Sequence, residues 1–204
     1  MAGETPPKIG ESGVQRAKHW LDASTRVKDI WQQTDVPMGE LLHFPWPHGS
    51  REPFSFDLGG IFRGEGLDGQ AWVAEVKNYR NESDLPGHFR NFLAKCYVAL
   101  GYRRERCDHF LWISWAPFQA RNWDRHATSE SVRKAVLHPD NIMSVFGVDN
   151  EQDAMAKLDA ERTVQAASRV WLITLCEQQE QLVLTKKHFT DVMAMLIAEQ
   201  RLAP

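Results

Sequence analysis

Phe54-Ser55-Phe56-Asp57-Leu58-Gly59-Gly60-Ile61-Phe62-Arg63-Gly64-Glu65-Gly66-Leu67-Asp68-Gly69-Gln70-Ala71-Trp72-Val73-Ala74-Glu75-Val76-Lys77 is the stretch on which the fold turns. Its second half, Gln70 to Lys77, reads as a strand: Trp72, Ala74 and Val76 point to one face, Glu75 and Lys77 to the other. At about 3.3 Å of rise per residue, Glu75 and Lys77 stand roughly 7 Å apart on their shared face. The first half alternates too, with Phe54, Phe56 and Leu58 on one side and Asp57 on the opposite one. An acid and an acid–base pair therefore project from the polar faces of neighbouring strands.

Whether they meet depends on the turn, because opposed positions in an antiparallel pair have residue numbers of constant sum. A loop over Arg63 to Gly69 centred on Gly66 puts Asp57 opposite Glu75. A tight turn at Asp68-Gly69 would push Asp57 beyond the paired region. Three glycines within the loop favour the wider turn. Two carboxylates that close raise each other's pKa unless a cation neutralises them. Mg2+, with Mn2+ as a substitute, suits such a pair, because it takes oxygen ligands and is held by one or two carboxylates plus substrate phosphate. The ion would polarise a phosphate and acidify a bound water, with the Lys77 ammonium beside it, so the expected chemistry is phosphodiester hydrolysis. The ordinary alternative is an exposed Glu75–Lys77 ion pair worth about 0 to 1 kcal/mol, with Asp57 merely opening a Gly-Gly turn.

These residues resemble the PD-(D/E)XK nuclease superfamily, whose signature is an acid on one strand and acid-x-Lys on the next. Phe56-Asp57-Leu58-Gly59-Gly60 resembles the first element, with Phe56 in place of a proline that is frequently replaced, and Glu75-Val76-Lys77 resembles the second. Upstream, Ile9-Gly10-Glu11-Ser12-Gly13-Val14 is similar to the Gly-Glu opening of a helix that often carries a further acid. Downstream, Leu85 to Leu100 looks like the following helix and His109 to Trp115 like the next strand. The resemblance covers about residues 9 to 116. It implies a restriction-endonuclease-like α/β fold, a mixed central sheet flanked by helices, with a C-terminal α/β extension over about 117 to 204 in a single domain. It implies Asp57, Glu75, the Val76 carbonyl and Glu11 around a metal, Lys77 serving the water, and DNA as substrate, in phage defence, restriction or repair. The competing expectation is a nuclease-like scaffold that binds DNA or a protein partner without cutting. A glycosidase-like carboxylate pair would need no lysine and no metal.

A chain of 204 residues, 43% hydrophobic and 25% charged, can bury a core. No segment approaches the roughly 18 apolar residues of a membrane span, and the start lacks the regions of a secretory signal, so a cytoplasmic protein away from membranes is expected. Cys96, Cys107 and Cys176 form no Cys-x-x-Cys pair and are expected reduced and buried; the eight histidines show no zinc spacing. The net charge of -3 argues against a basic coating protein. Locally, Lys77, Arg80, Arg90, Lys95, Arg103, Arg104 and Arg106 outnumber Glu82, Asp84 and Glu105, and Arg80, Arg90 and Lys95 are placed to contact phosphates. A solvated helix face is the ordinary reading of the same residues.

Residues 7 to 31 read as one helix through Val14, Ala17, Leu21 and Ser24, although the Ser12/Gln15 capping spacing would start regular helix at Gly13 with Glu11 just outside. Asp35 to Glu52 reads as an irregular loop carrying an exposed Phe44-Pro45-Trp46. Helices are expected over Ser129 to Leu137 and Asn150 to Arg169, then a buried strand Val170 to Leu175 paired with Gln181 to Leu184. Thr185 would cap a last helix with Phe189, Val192, Met193, Leu196 and Ile197 on one face. Of eight tryptophans, Trp20, Trp72, Trp112 and Trp171 read as core, while Trp46, Trp115 and Trp123 lie beside loops where a base could stack. Cutting both strands at one place would ask for two active sites, hence a homodimer, though no heptad marks one.

Overall fold

The run Ala71–Val76 is buried almost throughout, so it needs a hydrogen-bonded neighbour on each edge and apolar cover on each face. Both are present in the computed structural model, which describes residues 6–24, 26–49, 52–78, 84–117 and 120–202. In chain order the elements are α1 (Pro6–Ser24), β1 (Val27–Gln32), β2 (His43–Phe44), β3 (Phe54–Ser55), β4 (Leu58–Phe62), β5 (Ala71–Lys77), α2 (Leu85–Arg103), β6 (His109–Ser114), α3 (Ser129–Val136), α4 (Pro139–Phe146), α5 (Glu151–Lys157), α6 (Ala160–Ser168), β7 (Val170–Thr174), α7 (Glu177–Glu180) and α8 (Lys186–Leu202). The five-stranded sheet runs β1-β4-β5-β6-β7, antiparallel from β1 to β5 and parallel from β5 to β7. β2 and β3 form a separate two-stranded ribbon. The protein is thus α/β with a mixed sheet flanked by helices.

Alternation on the central strands sorts the core into two layers. Trp72, Ala74 and Val76 of β5 join Leu111 and Ile113 of β6 and meet Ala17 and Leu21 of α1. On the other face, Val73, Phe110 and Trp112 meet Phe89, Phe92 and Leu93 of α2, with Val132 of α3 and Ala166 of α6 behind them. Among the described residues no helix is long and apolar enough to cross a membrane.

The hairpin turns where the glycines place it. Leu58 pairs with Ala74 and Ile61 with Ala71, so the symmetry point is Gly66; Gly64, Gly66 and Gly69 all take positive φ, which glycine adopts without a Cβ penalty. Gly59 and Gly60 are not a turn but the middle of β4. A Cβ on Gly60 would collide with the Asp29 carbonyl oxygen and the Trp72 ring. The pair of glycines lets β1 and the Trp72 ring close on β4.

Several elements differ from the sequence reading. The first helix starts at Pro6, so Glu11 lies inside it, and ends at Ser24; Val27–Gln32 is a strand because β4 offers it an antiparallel partner. Phe54 and Phe56 share the α2-side core, but Leu58 joins the opposite layer, so the expected alternation breaks at Asp57. Phe44 and Trp46 are buried, stacked and tilted against Phe54, which removes Trp46 from any base-stacking role. The expected helix Asn150–Arg169 is two, because Asp159 caps α6 by accepting the Arg162 N–H at 3.0 Å. Gln181–Leu184 is not a strand: Glu177–Glu180 forms a helical turn in which Gln179 accepts the Cys176 N–H, and β7 is left as an edge with Trp171 38% exposed. Thr185 does cap the last helix, accepting the His188 N–H at 3.3 Å. Cys96 and Cys107 are buried thiols, whereas Cys176 is exposed.

Gly60→Ala is expected to cost about 1–3 kcal/mol by overpacking. Urea denaturation reads this directly: the midpoint should fall with an unchanged slope, and an unshifted midpoint would contradict the close approach described.

Candidate active site

The chemistry gathers just before β4 begins, beside the last residues of β5. Extending the Leu58–Ala74 pairing by one residue brings Asp57 opposite Glu75, and the Asp57 N–H donates to the Ala74 carbonyl at 2.9 Å. Beyond this point β4 has no further main chain beside β5. The Asp57 carboxylate takes over the role of a strand edge, its Oδ2 accepting the Val76 N–H at 2.7 Å. Asp57 keeps an edge toward solvent although protein surrounds most of it.

Glu75 is 7% exposed and points into the α2 layer. A lone buried carboxylate would be costly; two ammonium groups meet it, one on each oxygen. Lys77 Nζ lies 2.7 Å from Oε1, and Lys95 Nζ lies 2.9 Å from Oε2. Lys95 also donates to the Ser55 carbonyl at 3.1 Å, tying β3 to the same cluster. Gln33 steadies that segment, its Nε2 donating to Ser55 Oγ at 2.8 Å and to the Phe56 carbonyl at 3.0 Å.

The two acids respond oppositely. Loss of water, then the Glu75 charge, pushes the Asp57 carboxyl up to about 6 against the pull of Lys77, the Val76 N–H and Lys95. Burial also pushes on Glu75, but the charges and hydrogen bonds of Lys95 and Lys77 outweigh it and hold its carboxyl below the usual range. His88, two turns before Lys95 on the same face of α2, has its pKa lowered by burial and then by the Lys77 charge, which favours the neutral imidazole.

α1 is fastened to the same end of the sheet. Arg16 Nη1 donates to Asn78 Oδ1 at 3.2 Å, its Nε donates to Glu180 Oε2 at 3.0 Å, and its guanidinium lies 4.5 Å over the Trp115 ring. Trp115 also donates to Glu180, so both its ring face and its N–H are engaged. Gly13 abuts Asn78 so closely that a Cβ would approach to 2.5 Å of the Asn78 Cβ. The backbone of Glu11 is thus two residues from a contact with the residue following Lys77, while its side chain lies outside the described ones.

The structure therefore brings Asp57, Glu75, Val76 and Lys77 together as the spacing predicted. Lys95, expected either to contact phosphates or to lie on a solvated helix face, instead turns inward to Glu75. Its position within the otherwise apolar run Phe92 to Leu100 is the signal for that burial. Arg90 is paired with Asp140 at 3.1 Å at the surface, and Arg80 lies outside the described residues. His88 was not anticipated. Among the described residues no three of His, Cys, Asp and Glu stand together as a ready metal cage. No family model matches the chain, and no curated protein or solved structure matches it either.

A carboxyl whose pKa is higher folded than unfolded favours the folded state when protonated. The Asp57 contribution is therefore most favourable below about pH 4 and is lost as pH rises toward 6. Asp57→Asn keeps an oxygen for the Val76 N–H without the charge. It should match wild type near pH 4 and exceed it above pH 6 by on the order of 1–2 kcal/mol, allowing for the solvent edge. Glu75→Gln should behave the other way, losing about 3–5 kcal/mol at neutral pH because Lys95 is left buried without its anion. Denaturation of both variants across this pH range checks the pair; a destabilised Asp57→Asn at pH 8 would contradict it.

Proposed function

We propose that the protein is a metal-dependent nuclease that hydrolyses phosphodiester bonds of DNA, with a restriction-endonuclease-like core. The observation that carries this reading is the convergence of Asp57 and Glu75 at the start of β4 with Lys77 on the Glu75 carboxylate. The order strand, strand, helix, strand from β4 to β6 supports the resemblance to the PD-(D/E)XK superfamily.

The donor set fits a hard divalent cation. Asp57 is an acid whose charge the site does not fully compensate, since its carboxyl rises to about 6 with both lysines present. A cation would supply there the charge that a proton supplies at lower pH. Asp57, Glu75, the Val76 carbonyl and Glu11 are the groups that would hold Mg2+ or Mn2+; the ion, when bound, supplies Lewis acidity and an acidified water.

The chain's own residues divide the remaining work. Lys95, buried against Glu75 and the Ser55 carbonyl, fixes the orientation of Glu75 from the core side. Lys77 is the more exposed ammonium and faces the same carboxylate. It is placed to orient a water and to offset negative charge developing on a phosphate. His88 borders the site as a neutral base able to accept a proton. Arg80 and Arg90, before and within α2, are the cations proposed to contact the DNA backbone, Arg90 by exchanging its weak surface partner Asp140.

One observation favours the rival reading of a scaffold that binds DNA or a protein partner without cutting: both Glu75 oxygens already hold ammonium groups. Plasmid cleavage with Mg2+ or Mn2+ separates the two. Wild type should nick DNA only with metal, EDTA should abolish it, and Asp57→Ala or Lys77→Ala should lower the rate by on the order of 100-fold or more. Equal nicking by wild type and both variants, or none by wild type, would support the scaffold.

A further inference from the structure

The last helix exposes an apolar face that no described element covers. Phe189, Val192, Met193, Leu196 and Ile197 recur at spacings of three and four and so form one stripe; each is between 47% and 55% exposed, and none belongs to either core layer. Lys187 and Asp191 pair at 2.8 Å on the opposite side. A helix of this length is marginal in water by itself, especially with Thr190, Val192 and Ile197 along it, so its stability calls for a partner surface.

We propose that this surface is the same helix of a second copy, the two α8 helices packing antiparallel about a two-fold axis near Met193. Phe189, Met193 and Ile197 of the stripe are spaced symmetrically about that residue. Phe189 and Ile197 lie four positions to either side, so a two-fold axis sets Phe189 of each copy beside Ile197 of the other and Met193 against Met193. Half-exposed side chains of these sizes leave on the order of 500 Å2 of surface per chain, so full pairing buries at most about 1,000 Å2 in all, at the lower bound for a specific interface. Antiparallel packing also sets each helix N-terminus beside the other's C-terminus, which the helix dipoles favour. An anionic membrane fits less well, because on the polar face the exposed Lys187 charge is offset by the Asp191 carboxylate paired with it.

Sedimentation equilibrium on the full chain tests this without any substrate, so its result is independent of the nuclease reading. Wild type should sediment at twice the chain mass in the micromolar range. Met193→Glu and Leu196→Glu, each at an exposed position, should sediment at the single-chain mass with an unchanged near-ultraviolet spectrum. In a Cys176→Ser background, Met193→Cys should give a covalent dimer under mild copper-phenanthroline oxidation, and Phe189→Cys alone should not. A wild type of single-chain mass at every concentration would overturn the proposal, as would a dimer that both glutamate variants leave intact. So would a monomer that instead cosediments with phosphatidylserine vesicles, which would assign the face to lipid. Crosslinking through Phe189→Cys but not Met193→Cys would overturn the antiparallel geometry.

Discussion

Glu75 places a carboxylate inside the sheet–helix interface, and the rest of the site is arranged around the need to neutralise it. Removing one member of such a pair costs about 3–5 kcal/mol, because the other charge stays buried. Lys95 therefore does more than balance charge: it links α2 to β5 and, through the Ser55 carbonyl, to the segment leading into Asp57. Lys77 completes the neutralisation from the more exposed side. The cluster fixes three elements at one point while leaving Asp57 with an edge to solvent.

That arrangement separates support from access. Glu75 and Lys95 are enclosed and hold each other; Asp57 and Lys77 stand nearer the surface, where a cation or a phosphate could reach them. Burial and then the Glu75 charge raise the Asp57 carboxyl against the one backbone N–H it accepts from Val76, whereas the two ammonium groups directly on Glu75 overcome the same burial and lower its carboxyl. On the far side of the sheet, Arg16 ties α1 to Asn78 and Glu180, so the helix that carries Glu11 is fixed to the strand ends from which Lys77 emerges.

The hairpin and its register are legible in the sequence because they are local: the glycines at 64, 66 and 69 supply the positive φ that a wide loop needs, and alternation then places Asp57 against Glu75. β5 is legible from its alternation, and α2 and β6 from their largely apolar stretches. The boundary between α1 and β1 is not, since Val27, Ile30 and Trp31 keep helical spacing and their strand partner lies about thirty residues further on. α4 is hidden by Pro139, which looks like a helix breaker but occupies the first turn after a His138 cap. The charge of Lys95 suggests solvent, whereas its neighbours Phe92, Leu93, Ala94, Cys96 and Tyr97 are all buried and leave it nowhere to point but inward. The expected C-terminal hairpin does not form because Leu182 and Leu184 are apolar but exposed, and a short helical turn precedes them.

On the proposed nuclease reading, Asp57 and Glu75 form a cation-accepting pair rather than an ion-paired brace. A crystal soaked with Mn2+ and recorded at the manganese edge tests it most directly. A cation-accepting site would give an anomalous peak beside the Asp57 and Glu75 carboxylates, with Lys95 still on Glu75. A map without density there, both lysines remaining on Glu75, would contradict it.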